Sequence, residues 1–348
     1  MAGVSTIDIA RKLGLSRNTI SKALNDSAEV TPKTKKLIIE TAIEMGYKRI
    51  SRKGFYESRE PDRNRDICLL VHEREMEIWY WNKILRGVEE YLTARKYRIV
   101  LAILSEAEEE NDRLPPTLEN STVAGIITVG NYSEEYYRRL QATGIPLVTI
   151  DTAAAIKSSH LLCDTVMTCN HSTVYDITEH LIQNGYRKIA FAGNPNGCRS
   201  VRERWNGYRE AMLTYGLKIS EEYKIFRDID IKAMESLEGY FEEPFELPEA
   251  LVCANDDIAN KIWSALKAKG IRIPGDLAIS GFDNYDTGTE DTNILTSVDY
   301  NIAELGKLAA RQVIYRIQNP EASFVLVRLA ANVLFRRSTE RAEMKSYK

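Results

Sequence analysis

The sequence predicts a small all-α domain at the N-terminus, followed by a larger α/β part with parallel sheets. In the first fifty residues, three short segments have apolar residues at helical spacing. From Asp66 onward, short continuous apolar runs alternate with amphipathic segments, which is typical of parallel strands covered by helices on both faces. A chain of 348 residues has room for several cores, so two parallel-sheet domains are favoured over one.

The three N-terminal helices have recognisable start and stop signals. Ser5 or Thr6 can cap the first helix, and Gly14 lets the chain leave it with a positive φ. Ser16 is the next plausible N-cap, and the third helix opens with Pro32 at its first position. We therefore expect three compact helices connected by short turns.

The remainder divides into a linker, strands and helices. Residues 48–65 are dense in charge and lack apolar periodicity, so they are predicted to be a linker. The strand candidates are residues 67–71, 98–104, 123–129, 145–150, 188–193, 222–226, 250–254 and 277–282. The helix candidates between them include residues 82–95, 133–143, 171–184, 201–215 and 257–269.

Charge is unevenly distributed along the chain. The formal net charge is −3, but residues 1–53 hold eleven Lys or Arg against five acids, a net +6, which leaves about −9 for the rest. This asymmetry indicates a polyanion-binding module attached to an acidic body. A solvated basic face is the alternative, and charge alone does not decide between them.

Cysteine usage and hydropathy indicate the compartment. The five cysteines are scattered without a CxxC pair, which is typical of reduced thiols. No apolar run follows a basic N-terminal segment, and nowhere do eighteen apolar residues follow one another. We therefore expect no signal peptide and no membrane span, and a cytoplasmic location.

Residues 6–25 have the pattern of a helix-turn-helix, in which the second helix enters the major groove of DNA. Arg17 could donate two hydrogen bonds to guanine, Asn18 could pair with adenine, and Lys22 adds charge or a guanine contact. Phosphates or bases could be contacted by Thr19, Ser21 and Asn25. No acidic residue occurs on this face before Asp26. The alternatives are a small helical bundle with a polar face or a protein-docking module.

Longer motifs resemble the LacI/GalR family of transcriptional repressors. The stretches are "IARKLGLSRNTISKALN", "VTPKTKKLIIETAIEMGY", "TEHLIQNGYRKIAFAG", "ANDDIANKIWSALKAKGIRIPGDLAISGFDN" and "FRRST", in family order from about residue 4 to 339. The resemblance implies a homodimer whose periplasmic-binding-protein-like effector domain has two Rossmann-like lobes with a small molecule between them. The implied organisation is a DNA-binding domain (1–47), a linker (48–65), an effector-binding and dimerisation domain (66–339) and a tail (340–348).

The same resemblance assigns site residues. It places Arg17, Asn18, Ser21 and Lys22 at base-recognition positions, and the DNA backbone contacts at Thr6, Ser16, Thr19, Asn25, Thr31 and Thr34. The effector positions are Tyr80, Trp81, Arg204, Asn255 and Asp283. Guanidinium, amide and carboxylate groups with an aromatic plane suit a sugar.

Some of these positions have a plain structural alternative. For each ring of the Trp79-Tyr80-Trp81 cluster, hydrophobic packing is an alternative to ligand stacking. Asp151 follows a predicted strand, where ligands bind in open α/β sheets, but an aspartate there is also a common helix or turn cap.

The sequence departs from the family pattern at two places. The family follows its Gly-Tyr with Pro-Asn and an Ala-Arg-x-Leu hinge helix, whereas this chain continues as "KRISRKGFYESREP". Arg49, Arg52 and Lys53 could instead track a narrow minor groove, with Phe55 or Tyr56 as a wedge. The second departure is in "MTCNHS", where Cys169 occupies a position that is often Asp.

Catalytic and metal motifs are not found in the sequence. P-loop, GxSxG and HExxH patterns do not occur, and GxGxxG is missing. His160, Cys163, Cys169 and His171 lie within twelve residues but match no closed zinc motif. We therefore expect no enzyme activity, no cofactor and no metal.

The resulting prediction is a cytoplasmic, homodimeric repressor of carbohydrate-utilisation genes that binds a pseudopalindromic DNA operator under control of a small molecule, most simply a sugar. Three alternatives stay open: control by a partner protein, control by a non-sugar ligand such as a purine, or a small-molecule-binding protein with a vestigial DNA-binding domain.

Overall fold

The computed structural model describes residues 4–24, 27, 29–45, 47, 65–73, 79–119, 123–223, 247–285 and 293–341. The expectations for Asn25 and for the linker residues Arg49, Arg52, Lys53, Phe55 and Tyr56 lie outside this part of the chain.

The N-terminal segment forms the three predicted helices, α1 (Thr6–Leu13), α2 (Arg17–Leu24) and α3 (Pro32–Glu44). Ser5 is the N-cap of α1, and the Asp8 carboxylate accepts hydrogen bonds from the Ser5 backbone N–H (2.9 Å) and hydroxyl (2.6 Å). Gly14 ends α1 with φ 65°, in the left-handed region that glycine adopts without strain. Apolar side chains from all three helices form one small core, with Ile9, Ile20, Ile38 and Ala42 fully buried.

A six-stranded parallel sheet begins at residue 66. Its strands are β1 (Asp66–His72), β2 (Arg98–Leu104), β3 (Gly125–Val129), β4 (Leu147–Ile150), β5 (Asp164–Thr168) and, from much later in the chain, β10 (Leu326–Leu329). Their order across the sheet is β10-β5-β4-β3-β1-β2.

Helices cover both faces of this sheet. One face packs against α4 (Trp79–Thr93) and the late helix α11 (Ile302–Gln318), and the other packs against α7 (Glu134–Ala142); short helices α5 (Glu106–Glu110) and α6 (Pro116–Glu119) lie between β2 and β3. Ile67 and Leu69 of β1 join one core, while Cys68 and Leu70 join the other, as alternation along a strand requires. We call this sheet and its helices lobe A.

Glycine allows α4 and α11 to pack closely. A Cβ atom at Gly87 would lie 1.8 Å from the Ala303 carbonyl oxygen, and one at Gly306 would lie 2.3 Å from the Ile84 carbonyl oxygen. Any side chain at either position would force the two backbones apart.

A second unit, lobe B, contains the parallel sheet β6 (Ile189–Ala192), β7 (Ala250–Cys253) and β8 (Ala278–Ser280) with helices α8 (His171–Gln183), α9 (Arg199–Thr214) and α10 (Asp256–Ala268). An antiparallel pair, β9 (Ser297–Asp299) and β11 (Asn332–Leu334), completes it. The two-lobe α/β architecture expected from the sequence is therefore confirmed.

Several elements differ from the sequence prediction. Strands β5, β9, β10 and β11 and helix α11 were not predicted. The predicted strand at 222–226 is wrong where it can be compared, because Glu221–Tyr223 is a 3-10 turn and residues 224–226 lie outside the described part. Strands of three to five residues with mixed polarity give little periodic signal, so only pairing with distant partners defines them.

Candidate functional site

The corner between α1 and α2 is tight and anchored. The Leu15 N–H donates to the Ala10 carbonyl (3.1 Å), and the Leu15 side chain packs on the small helical core. The two helices are thereby fixed against each other in the arrangement that the helix-turn-helix pattern predicts.

The outer face of α2 presents the predicted recognition residues. Arg17, Asn18 and Ser21 are exposed and Lys22 is partly exposed, while Ile20, Ala23 and Leu24 face the core. Arg17 and Asn18 form the first turn, which in a helix-turn-helix is the part that meets base edges.

Hydroxyl groups predicted to contact the DNA backbone also begin the helices. The Ser16 Oγ accepts from the Thr19 N–H (3.0 Å), and the Thr31 Oγ1 accepts from the Thr34 N–H (3.3 Å). The two hydroxyls of each pair are 2.8 Å apart. Thr6 is partly buried in the first turn of α1. The capping bonds orient these side chains, and a hydroxyl keeps further hydrogen-bonding capacity for a phosphate.

Four polar residues follow the carboxyl ends of parallel strands in the two lobes. Asp151 follows β4 and Asn170 lies two residues beyond β5, while Asn255 and Asp283 lie beyond β7 and β8. Ligands of open α/β sheets bind outside these strand ends. This edge of the two sheets is the candidate effector cleft.

Arg204 is the centre of the cleft. The residue is 6% exposed. Its guanidinium donates from Nε to Asn170 Oδ1 (2.9 Å) and from Nη1 to the Ala254 carbonyl (2.6 Å), and lies 3.5 Å from the Phe282 ring centre. Its Nη2 lies 3.7 Å from Asp283 Oδ1. These contacts hold the cation in one orientation.

Asp283 connects Arg204 to two tyrosines. Its Oδ1 accepts a hydrogen bond from the Tyr300 hydroxyl (2.9 Å), and Tyr300 is hydrogen-bonded to Tyr80 at the start of α4. Burial raises the pKa of Asp283, and the Arg204 cation opposes that rise. Burial also raises the pKa of Tyr80, with the Asp283 charge adding to it, so the phenol stays protonated and can donate. Tyr300 therefore links Tyr80 of lobe A to Asp283, which in turn lies beside Arg204 of lobe B.

Asp151 performs the capping role that was the alternative to ligand binding. Its carboxylate accepts from the Thr152 N–H (2.7 Å), the Ser200 N–H (3.2 Å) and the Ser200 hydroxyl. Ser200 lies in the first turn of α9, whose own N-cap, Cys198, makes no side-chain cap bond. Burial raises the pKa of Asp151, and the bonds from Ser200 and Thr152 oppose the rise.

Asn255 and Trp81 are also occupied by structural contacts. The Asn255 Oδ1 accepts from the Ile258 N–H (2.9 Å) as the N-cap of α10. Trp81 is 8% exposed and belongs to the apolar core of lobe A, as in the packing alternative. The side chain of Trp79 lies outside the description. Of the two clustered aromatics whose side chains are described, Tyr80 is the one that lies near Asp283 and Arg204.

Four residues of this cluster were not predicted from the sequence: Asn170, Asp256, Phe282 and Tyr300. Asp256 is 1% exposed and accepts from Ser297 Oγ (2.8 and 2.9 Å) and the Tyr285 N–H (2.6 Å). Burial raises its pKa to about 7, with the charge of Asp283 adding to the effect. The strand-end rule that selected Asp151 also applies to Asn170, but it was not available from the sequence because β5 was not predicted.

The described residues contain no group of three or more potential metal-ligating side chains, and no helix among them combines the length and hydropathy needed to cross a bilayer. His171, one of the four His and Cys residues considered for zinc, instead lies 2.9 Å from Glu210.

A groove of about 430 Å³ lies outside the cleft cluster. It is lined by α8 residues and the β11 region, including Asp176, Glu179, His180, Val333 and Phe335. None of its lining residues is a predicted effector residue. The chemistry of its side chains therefore favours the Arg204 cluster over this groove as the functional site.

Known proteins resemble the chain over almost its full length. The family of periplasmic binding protein-like domains matches residues 178–339. Catabolite control protein A of Priestia megaterium is 26% identical over 340 residues, covering 97% of this chain and 99% of the relative. The ribose operon repressor of Escherichia coli K12 is 26% identical over 321 residues, covering 90% and 93%. Among solved structures, a complex of the transcriptional regulator CelR with cellobiose superposes with a TM-score of 0.66 at 24% identity, covering 96% and 99%.

Proposed function

The chain belongs to the LacI/GalR family of transcriptional regulators, and from that premise we propose that it is a DNA-binding repressor controlled by a small molecule bound between its lobes. The observation that carries the proposal is the set of polar contacts that links the two lobes. Tyr80 of lobe A is hydrogen-bonded to Tyr300, whose hydroxyl donates to Asp283 beside Arg204 of lobe B, so a ligand bound at this site can set the relative position of the lobes.

The DNA-binding part of the proposal uses residues 1–47, joined by the linker 48–65 to the effector-binding domain 66–339. Base edges would be read by Arg17, Asn18, Ser21 and Lys22, whose side chains point away from the small core. The sugar-phosphate backbone would be contacted by Thr6, Ser16, Thr19, Asn25, Thr31 and Thr34. Two copies in a homodimer would occupy the two half-sites of a pseudopalindromic operator.

The effector part of the proposal assigns a sugar to the cleft. Arg204 and Asp283 can hold neighbouring hydroxyls of a sugar. The Arg204 guanidinium supplies several N–H donors, and the Asp283 carboxylate supplies two acceptor oxygens. Tyr80 adds an aromatic plane and a hydroxyl, and Asn255 keeps its amide N–H groups after its oxygen caps α10. Asp151 and Trp81 would shape the walls. The name of the ribose operon repressor supports a carbohydrate effector and a role at carbohydrate-utilisation genes. We place this activity in the cytoplasm.

Control follows from differential binding. A ligand changes operator affinity only if it binds one arrangement of the lobes more tightly than the other. The Tyr80–Tyr300–Asp283–Arg204 contacts stabilise one such arrangement, and a sugar that inserts between them would replace protein hydroxyls by its own.

The test separates the two sites by substitution. Operators are selected from a random duplex library with the wild-type protein, and binding is then measured with and without a panel of sugars. Arg17→Ala should relax sequence preference by about 1–3 kcal/mol at one position of each half-site, because a bidentate base contact is lost. Arg204→Ala should retain DNA binding and lose the response to sugar.

Two further variants keep the result interpretable. Tyr80→Phe removes one hydroxyl from the cleft and should weaken the sugar response even if Arg204→Ala unfolds. Arg138→Ala removes a surface arginine paired with Glu134 and should change neither property.

An unchanged footprint for Arg17→Ala would show that base recognition is assigned wrongly. Operator binding that needs an added protein, and ignores every sugar, would favour the partner-controlled alternative.

A further inference from the structure

An acidic side chain lies beside the predicted recognition face. The Lys22 ammonium is in contact with the Glu29 carboxylate, although these residues are seven positions apart. Lys22 is one of the four residues assigned to base edges, so this contact joins a negative charge to the surface that would meet DNA.

The position of Glu29 is set by the surrounding turn. The Ser27 N–H donates to the Lys22 carbonyl (2.9 Å), and the Val30 N–H donates to the Ser27 carbonyl (3.3 Å). Val30 is 7% exposed and packs in the small helical core. With the residues on either side anchored, Glu29 is held next to Lys22.

The Lys22–Glu29 ion pair contributes little to the stability of the domain. The side chains of Lys22 and Glu29 are 37% and 67% exposed, and ion pairs this accessible to water stabilise a fold very little. The other two acids whose side chains are described in this domain make different contacts: Asp8 is bound by Ser5, and Glu40 lies 3.9 Å from Lys36 on α3. Within the described residues, Glu29 is thus the acid that meets a predicted base-reading residue.

We propose that Glu29 is a specificity-determining residue that directs Lys22 to a guanine edge and away from phosphate. The inference rests on the proposed DNA-binding function. An ammonium has three N–H donors, so Lys22 can keep one on Glu29 and give the other two to guanine O6 and N7, which carry no net charge. A phosphate in the same place carries a full negative charge and is repelled by Glu29.

Glu29 thereby weakens sequence-independent binding more than specific binding. A lysine that is already paired displaces no counterion from the DNA, so it adds nothing to the affinity that phosphates supply to every sequence. When the base opposite Lys22 is guanine, the ammonium can donate to O6 and N7, a pair of acceptors that the other bases do not offer. The ratio of specific to non-specific affinity is therefore larger with Glu29 than without it.

The test compares two substitutions that change charge equally. Glu29→Gln keeps the size of the side chain and removes its charge, and Glu40→Gln does the same beside Lys36. Each full-length variant is titrated with poly(dA-dT) duplex, which has no guanine, and with a guanine-containing duplex selected by the wild-type protein, over a range of salt concentrations. Circular dichroism melting checks that all three proteins are folded.

Glu29→Gln should bind poly(dA-dT) about fivefold more tightly than wild type at about 0.1 M salt, with a salt slope steeper by about 0.9, since one more phosphate is neutralised. Its preference for guanine over adenine at the Lys22 position should fall. Glu40→Gln should change affinity less than twofold.

Each remaining outcome overturns a defined claim. If Glu29→Gln binds poly(dA-dT) no more tightly than wild type, or if Glu40→Gln has the same effect, the role of Glu29 is refuted while DNA binding stands. If the wild-type protein binds neither duplex at low salt, the DNA-binding function falls, and the role of Glu29 falls with it.

Discussion

Asp256 shows how one buried residue connects the cleft to stability. Its carboxyl group is almost inaccessible and is bonded by Ser297 and the Tyr285 N–H. In the unfolded chain an aspartic acid has a pKa near about 4, whereas burial raises the pKa of Asp256 to about 7. Between these two values the folded protein holds a proton that the unfolded chain has released. The contribution of the Asp256 carboxyl group to the free energy of unfolding is therefore present at low pH and is lost as pH rises toward 7.

Asp256→Asn removes this titration. The free energy of unfolding of the variant, relative to wild type, should increase with pH by at most about 1.4 kcal/mol per unit between pH 5 and 7, and then level off. Urea unfolding at pH 5, 6, 7 and 8 measures it. Asp257→Asn is the control, because Asp257 is partly exposed and lies 3.0 Å from Lys261. A difference that is equal at every pH would mean that Asp256 is ionised throughout.

The N-terminus of α9 depends on a residue from the other lobe. Asp151 supplies the acceptor for the Ser200 N–H, and α9 in return donates from the Arg199 N–H to the Thr152 carbonyl (2.8 Å) and from Arg202 Nη1 to the Ala154 carbonyl (2.9 Å). These bonds connect the segment after β4 in lobe A with the first turn of α9 in lobe B. Asp151 thus holds the two lobes together as well as capping a helix.

Asp151→Ala should lower the free energy of unfolding of the ligand-free protein by about 1–2 kcal/mol, as loss of a helix cap does. Asp151→Asn should cost less, because an amide oxygen can still accept from the Ser200 N–H. Ser200→Ala removes only the hydroxyl bond and should also cost less. Urea unfolding without sugar measures these effects. Unchanged stability of Asp151→Ala, together with weaker sugar binding, would instead identify Asp151 as a ligand contact.

At the scale of the whole molecule, β2 is the feature that indicates where two copies meet. It is the end strand of the lobe A sheet, and no strand in the described part of the chain pairs with its outer edge. Leu101 and Ile103 on this strand are 43% and 47% exposed. An apolar, unpaired edge is a site for association with another chain. We propose that the second copy of the homodimer proposed above covers this edge.

Ile103→Lys should convert the proposed dimer to a monomer, because the proposed interface would then contain an unpaired buried charge. Sedimentation velocity at micromolar concentration measures the mass, and affinity for a two-half-site operator should fall with it. Leu213→Lys is the matched control, since Leu213 is 63% exposed on α9 of lobe B. If Ile103→Lys remains dimeric, the interface lies on another surface.

The sequence by itself determined features that depend on short stretches of chain. The three N-terminal helices were predicted because each carries its own cap and periodic apolar face, as Gly14 and Ser16 illustrate. Of the strands in the two parallel sheets, all except β5 and β10 were predicted from continuous apolar runs, and the two-lobe class followed from their alternation with helices.

Only the tertiary structure decided which of these residues meet. The Thr165 N–H of β5 donates a hydrogen bond to the carbonyl of Val325, 160 residues later, and no local pattern encodes such a pairing. Tyr80 and Trp81 are neighbours in sequence, yet successive side chains of a helix point about 100° apart, so one reaches the cleft and the other the core. The same physical reason separates a ligand contact from a helix cap at Asp151: the chemistry of a carboxylate is fixed by its residue type, but its partner is chosen by packing of distant elements.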